Sequence, residues 1–262
     1  LRSSSAASDV YKRQVFTLLG GTLLAVSANV LNQIFEIETD RLMERTANRP
    51  LVTGEINKKS AYVYSTSLGL VGFLVLYTQT TELAAFIALS ANIFYSFIYT
   101  LVLKPRTNQN IVIGGAAGAA PVLIGWSATG TNLDTGSWLL FLLVFLWTPA
   151  HFWALSIDKL NDYKDANFPM LPTQESYKRT SIFIGIYSCA TVLTSLLLAP
   201  ILQLGMVYLL LSLIFGLYLM YKSYQLYRKQ IKAISYFVFS NTYLAVIFLS
   251  MVADIFITLS SI

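Results

Sequence analysis

Eight apolar stretches, each long enough to cross a lipid bilayer, constrain this chain more tightly than any motif within it. They run over residues 15–35, 61–79, 83–102, 111–129, 138–157, 181–199, 201–221 and 236–260. At about 1.5 Å rise per residue, about 20 residues cross a hydrocarbon core of roughly 30 Å. A segment in lipid must satisfy its backbone N–H and C=O groups internally, and a stretch of this length does so as an α-helix. The sequence therefore predicts an all-α, polytopic membrane helix bundle. Composition agrees: 12% of the residues are charged, where a soluble domain carries about 25%. A soluble enzyme with one large core is excluded on that ground.

The connections carry the orientation. Residues 36–60 hold five Lys or Arg, 103–110 two, 158–180 four and 222–235 four, whereas 80–82, 130–137 and 200 hold none. Every basic residue after Arg13 thus falls on one side of an eight-span bundle, which the positive-inside rule assigns to the cytoplasm, or to the matrix of a mitochondrion. The basic pI of about 9.2 then needs no nucleic acid, because the bases occupy short loops where anionic headgroups and phosphorylated substrates meet them. Cys189, the only cysteine, lies in an apolar run and excludes an intramolecular disulfide or a cysteine-rich metal site. Residues 1–14, LRSSSAASDVYKRQ, lack the apolar middle and cleavage site of a signal peptide and read as a non-native leader before a membrane domain at 15–262. Alternation places Lys12 and Arg13 on the outer side, against the rule. A further span ahead of the first, giving nine in the native protein, restores the orientation.

The chemistry concentrates where the first span ends, in NQIFEIETDRLMERTANRPL from Asn32 to Leu51. If the helix continues through it, Asn32, Glu36 and Asp40 recur every four residues and share a face, and Arg41, Arg45 and Arg49 follow at the same period. Two like charges four apart ask for a cation or a basic partner. Carboxylate oxygens suit Mg²⁺, which joins protein acids to substrate phosphates. The plainer alternative is a solvated, salt-bridged helix end. Asp158 and Asp162 repeat the spacing where the fifth span emerges on the same side, below WTPAHFWAL. Two acid pairs at one face suit a diphosphate held through Mg²⁺, and an allylic diphosphate would keep its hydrocarbon tail among the apolar helices.

Several neighbours fit that reading. Asn92, Tyr95 and Tyr99 recur at spacings of three and four and can line a polar groove, or simply bond between helices. Lys104 and Arg106 bracket Pro105 in a short basic turn that can close over phosphate. Gly114 and Gly118 form a GxxxG face for close helix approach. His151, the only histidine, lies just inside the charged face, where a structural role competes with substrate contact or proton transfer. The segment from Phe168 to Pro172, with two prolines, is expected to form a stiff loop near the cavity.

Taken together, Asn32, Glu36, Asp40, the MERTANRPL run, Tyr99, Lys104, Asn110, GGAAGA, LIGW, HFWAL, Asp162, Tyr163 and MLP resemble the protoheme IX farnesyltransferases, or heme O synthases, within the UbiA-type superfamily of intramembrane prenyltransferases. The resemblance runs from about residue 15 to the end. It implies a nine-helix bundle of the UbiA type in a bacterial inner membrane, with its active site toward the cytoplasm. It implies transfer of farnesyl from farnesyl diphosphate to a vinyl group of heme b, followed by hand-off of heme O to heme A synthase. Carried onto these positions, Glu36, Asp40, Asp158 and Asp162 become Mg²⁺ and diphosphate residues with Asn32 in support, and Arg45, Lys104, Arg106 and Lys164 become diphosphate contacts. Glu36 stands where many superfamily members have Asp, and Pro105, Val122 and Ala150 also depart from the usual pattern. Two other functions remain open. A prenyltransferase acting on an aromatic or quinone precursor shares the acid pairs, although HFWAL and MLP favour the heme branch. A secondary transporter would place its charges near the midplane rather than at one face.

Overall fold

The computed structural model describes residues 2–260, with side chains over 9–257. Eight helices cross: α1 (Arg2–Phe35), α4 (Lys58–Gln79), α5 (Glu82–Ile93) with its π-helical continuation (Phe94–Leu103), α6 (Asn110–Ala128), α7 (Thr135–Asp158), α10 (Tyr177–Ile201), α11 (Met206–Tyr227) and α12 (Ala233–Ser260). Four short helices lie between them, α2 (Ile37–Asp40), α3 (Pro50–Thr53), α8 (Leu160–Asp165) and α9 (Leu171–Gln174). Among the described residues there is no β-strand. Residues 2–14 continue into the first span as one helix.

The turns at the sparsely charged end are short, and two of them are capped by their own side chains while Gly205 N–H at the third bonds the Asp254 carboxylate of α12. Thr81 Oγ1 accepts from Ala84 N–H at 3.1 Å, and Asp134 and Ser137 form a reciprocal capping box. Such caps satisfy the orphan donors of a helix start and fix the antiparallel return. Arg13, the base on the wrong side for the charge rule, donates to Thr129 O at 3.0 Å at this end.

Two cores result. One joins α1, α4, α5 and α6 through Leu24, Leu76, Ala84, Ala88, Ala120 and Ile124. The other joins α7, α10, α11 and α12 around Leu143, Trp153, Ile184, Tyr208, Leu219 and Tyr243. Helices in lipid gain little from mutual hydrophobicity, so close backbone approach and interhelical hydrogen bonds replace it. A Cβ at Gly72 would lie 2.8 Å from Gly20 O, and Ser65 Oγ donates to Ser27 O at 2.9 Å. In the second core, Tyr243 OH donates to Ser195 Oγ at 2.8 Å, and Ser188 Oγ and Tyr236 OH lie 2.6 Å apart. The outside is greasy, with Leu18, Leu249 and Phe256 about 70% exposed, as a lipid-facing surface requires. The chain is a multi-pass membrane protein.

Candidate active site at the basic face

The site begins with a break in a helix. Glu36 adopts φ −105°, ψ 13°, between α1 and α2, in the sparsely allowed region where many active-site residues sit. The i, i+4 bonds persist across the break, Glu36 N–H to Asn32 O at 3.0 Å and Asp40 N–H to Glu36 O at 2.7 Å. Asn32, Glu36 and Asp40 therefore still line one cavity. The expected continuation to Leu51 does not occur. The helix stops at Asp40, Thr46 Oγ1 bonds Asp40 O at 2.9 Å, and Arg49 is extended ahead of Pro50, as a residue before proline prefers. The arginines consequently part ways: Arg41 pairs with Glu38 at 3.4 Å, Arg45 lines the cavity, and Arg49 reaches Asp40 Oδ2 at 2.5 Å.

The opposite wall depends on the π-helical segment. In an α-helix of about 3.6 residues per turn, Tyr95 and Lys104 are two and a half turns apart and face opposite ways. The wider i→i+5 turn, closed by Lys104 N–H to Tyr99 O at 2.8 Å, returns Tyr95, Tyr99 and Lys104 to one face, and all three line the cavity. Thr100 Oγ1 bonds Tyr95 O at 2.8 Å and accepts from Asn32 Nδ2 at 3.2 Å, tying this wall to α1. Asn92 Nδ2 donates to Leu24 O at 2.8 Å. Gly114 makes the fit possible, since a Cβ there would lie 2.4 Å from the Tyr99 ring, while Gly118 meets nothing and opens into the cavity.

The cavity holds about 480 Å³. Its deep end is lined by small and aliphatic residues, among them Ala25, Ala28, Ala88, Ala91 and Ile124. Its mouth holds Glu36 and Asp40, only 7% and 3% exposed, with Arg45, Arg49 and Lys104. Lys104 Nζ lies 2.5 Å from Glu36 Oε1, bonds Oε2 at 2.7 Å and sits 4.7 Å from the centre of the Phe168 ring. A roof of Met43, Ile111, Tyr163, Ala166, Phe168 and Met170 covers this end. Asn110 fastens it, its Nδ2 donating to Thr107 O at 2.7 Å and Pro169 O at 3.3 Å. The stiff loop expected at 168–172 is thus part of the site.

Other expected residues lie elsewhere. The helix breaks at Lys159 (φ −103°, ψ 32°), so Asp158 and Asp162 belong to different helices and do not share a face by helical period. Asp158 lies 3.6 Å from Lys159, and neither acid lines the cavity. Among the described residues no three acidic, histidine or cysteine side chains converge as a ligand set. Arg106 donates to Leu101 O at 2.9 Å, closing a helix end rather than facing the cavity, and Lys164 points to solvent. His151 is 5% exposed, stacked between Trp147 and Phe237 at 4.1 Å each, with Nδ1 2.7 Å from Ser240 Oγ. It fastens α7 to α12 outside the cavity wall.

Tyr163 is the residue whose part in the site the spacing argument missed. It lines the cavity next in sequence to Asp162. Burial pushes its phenol above the usual tyrosine range, with Arg45 and the Ser156 hydroxyl opposing and Asp162 and Glu36 adding. The phenol is therefore a neutral donor, and because it lines the same cavity as Glu36 and Asp40 the two acid-bearing segments meet at one end of the bundle. Its signal in the sequence was adjacency to the second acid pair.

The chain belongs to the UbiA prenyltransferase family, whose profile matches residues 4–252. It is 42% identical over 238 residues to a protoheme IX farnesyltransferase of Thermus thermophilus, covering 90% of this chain but 39% of that protein. Proteins of the same name from Synechococcus and Synechocystis are 44% and 43% identical, with 72% and 77% of their lengths covered. Among solved structures, digeranylgeranylglyceryl phosphate synthase aligns with a TM-score of 0.73 at 21% identity over 92% of this chain and 85% of that one. A UbiA homolog from Archaeoglobus fulgidus bound to GPP and Mg²⁺ aligns with a TM-score of 0.65 at 16% identity, covering 92% and 88%. These structures share the fold.

Proposed function

We propose that the chain transfers a farnesyl group from farnesyl diphosphate to a vinyl group of heme b, giving heme O and diphosphate. The observation that carries this is the division of one cavity into an apolar depth and a mouth holding three cations and two buried carboxylates. An allylic diphosphate has that same division. The farnesyl donor and heme acceptor come from the relatives named as protoheme IX farnesyltransferases.

The mouth also fits Mg²⁺. Glu36 is buried with both oxygens on the Lys104 ammonium, and Asp40 supplies further hard oxygens four residues on. Two carboxylates with substrate phosphates are the usual protein share of an Mg²⁺ site. Glu36 and Asp40 would hold the ion, with Asn32 in support, and Asp162, adjacent in sequence to the cavity-lining Tyr163, is the candidate from the second segment. Bound there, Mg²⁺ would neutralise charge that grows on the leaving diphosphate.

The chain's own residues do the rest. Arg45, Arg49 and Lys104 bind the diphosphate and stabilise the negative charge that develops as the allylic C–O bond breaks with its electron pair on oxygen. Tyr163 donates a hydrogen bond from its neutral phenol. The stacked rings of Tyr95 and Tyr99, 5.4 Å apart, present π-faces to the allylic cation, and the roof excludes water from it. The vinyl π-electrons of heme b form the new C–C bond. Water adds to the resulting cation and loses a proton, leaving the hydroxyl. The reaction lies at the cytoplasmic face of a bacterial inner membrane, from which heme O would pass to heme A synthase.

The test is a mass-spectrometric assay in which purified protein is offered farnesyl diphosphate with heme b or with aromatic and quinone precursors. Heme O formation is expected. Product from another acceptor without heme O overturns the heme assignment, and diphosphate release unchanged in both Asp40→Asn and Asp162→Asn removes the acids' role.

A further inference from the structure

The outer surface of α11 and α12 carries a second concavity, open to the bilayer and distinct from the active-site cavity. Ile214, Phe215, Leu217, Tyr218 and Tyr221 of α11 and Phe239 of α12 line a shallow, open groove of about 540 Å³. Phe215 and Phe239 stack at 6.3 Å, and Tyr218 meets Phe239 edge-on at 4.6 Å, so the floor is built from rings braced against one another. From Tyr221 to Ile214 the slot runs about 10 Å along the helix.

Its mouth is basic. Lys222 Nζ lies 5.6 Å from the Tyr218 ring centre and 3.2 Å from Ser235 Oγ, which holds the ammonium beside the opening. Arg228, Lys229 and Lys232 follow in the next turn, all exposed. Elsewhere on this face Arg41, Arg49, Lys104, Lys159 and Arg179 have a carboxylate within 4 Å, and the bases without one lie in connections that carry acids of their own or, like Arg106, bond backbone carbonyls. The sequence between Glu175 and Asp254 contains no Asp or Glu, and among the described residues none of these four cations joins an ion pair. Lys229 Nζ lies 5.0 Å from the Tyr177 ring of α10, which leaves Lys222, Arg228 and Lys232 as the cations available to an anion beside an apolar slot.

We propose that this groove seats one acyl chain of an anionic phospholipid of the surrounding bilayer, with the lipid phosphate held by Lys222 and the turn at 228–232. The site combines the attraction of clustered bases for anionic headgroups with a rigid apolar slot of matching orientation, which a loosely exchanging lipid shell does not require.

The test reconstitutes the protein in nanodiscs of equimolar phosphatidylglycerol and phosphatidylcholine, releases it in mild detergent and counts retained lipids by native mass spectrometry. Preferential retention of phosphatidylglycerol is expected. Lys222→Gln should lower that retention about fivefold, the effect of one cation near an anionic headgroup. Leu217→Trp fills the slot from an exposed position without changing charge and should reduce retention of phosphatidylglycerol. Lys58→Gln with Lys59→Gln, on the same face but distant in sequence, should leave it unchanged. Equal retention of the two lipids by the unmodified protein overturns the proposal, as does an equal loss from the Lys58 and Lys59 variant. No loss from Leu217→Trp overturns the groove as the seat of the chain.

Discussion

Lys104 is where fold and proposed chemistry depend on the same atoms. Its ammonium neutralises Glu36, whose side chain is 8% exposed, and braces Phe168 of the roof. Removing one member of a buried pair strands the other, at a cost of about 3 kcal/mol where the lysine keeps some exposure. Lys104→Met should therefore lower thermal stability and also reduce turnover about 100-fold, since one aimed donor to a developing anion carries an effect of that order. Lys104→Met with Glu36→Gln should regain most of the stability in a melting experiment while turnover stays low. Recovery of both would make the lysine merely structural. At Tyr163 the sign of the pH effect follows from burial, which raises the folded-state pKa above the unfolded value near 10. Its stabilising contribution is fully present below about pH 10 and is lost as pH rises through the folded pKa. Tyr163→Phe should flatten the alkaline fall in stability measured by thermal melting, and an unchanged profile would contradict the burial argument. The Glu36 and Asp40 pair was legible because spacing survives a helix break. Arg49, nine residues on, was within reach of Asp40 on the same spacing, whereas Lys104 lies 68 residues from Glu36 and only the folded chain brings those two together.

The spanning helices were legible one by one, because lipid imposes a length and a composition that the sequence displays directly. What the sequence concealed was departure from regular helix. Nothing in FYSFIYTLVL distinguishes i→i+5 from i→i+4 bonding, yet that choice decides whether Lys104 faces Tyr95 or the opposite side. The break at Lys159 was likewise invisible to a four-residue spacing, and it separates Asp158 from Asp162. The GxxxG face expected for close helix approach holds only at Gly114, against the Tyr99 ring, and Gly118 opens into the cavity. A methyl group at Gly114 would lie 2.4 Å from the Tyr99 ring, whereas one at Gly118 meets nothing within 4 Å. Gly114→Ala should thus cost about 1–3 kcal/mol by overpacking and displace a cavity-lining ring. Gly118→Ala should be neutral or stabilising by up to about 1 kcal/mol through helix propensity. Melting curves of the two variants in one detergent separate these outcomes, and equal losses would mean that Tyr99 does not lie on α6 as described.

At the scale of the whole molecule, two helical cores share one basic end, and the site forms where their connections fold over the first core. The acids, the π-helical wall and the roof all come from segments at this end, so the orientation of the bundle decides which compartment supplies the diphosphate. We propose that it is the cytoplasm, because the basic connections surround the site and the opposite turns carry none. Lys12 and Arg13 lie at the opposite end, against the rule, with Arg13 donating to Thr129 O. The orientation can be read with single cysteines after Cys189→Ser. Cysteines at Gln79, Thr131 and Gln203, all exposed at the sparsely charged end, should react with a membrane-impermeant maleimide in intact spheroplasts. Cysteines at Lys59, Lys178 and Gln230, exposed at the basic end, should react only after permeabilisation. The reverse pattern would put the cavity mouth on the outer face, away from a cytoplasmic supply of farnesyl diphosphate, and the proposed reaction would lose its donor. A mixed pattern would mean that the eight helices do not alternate across the bilayer, and the convergence of Glu36, Lys104 and Tyr163 at one end could not persist in the membrane.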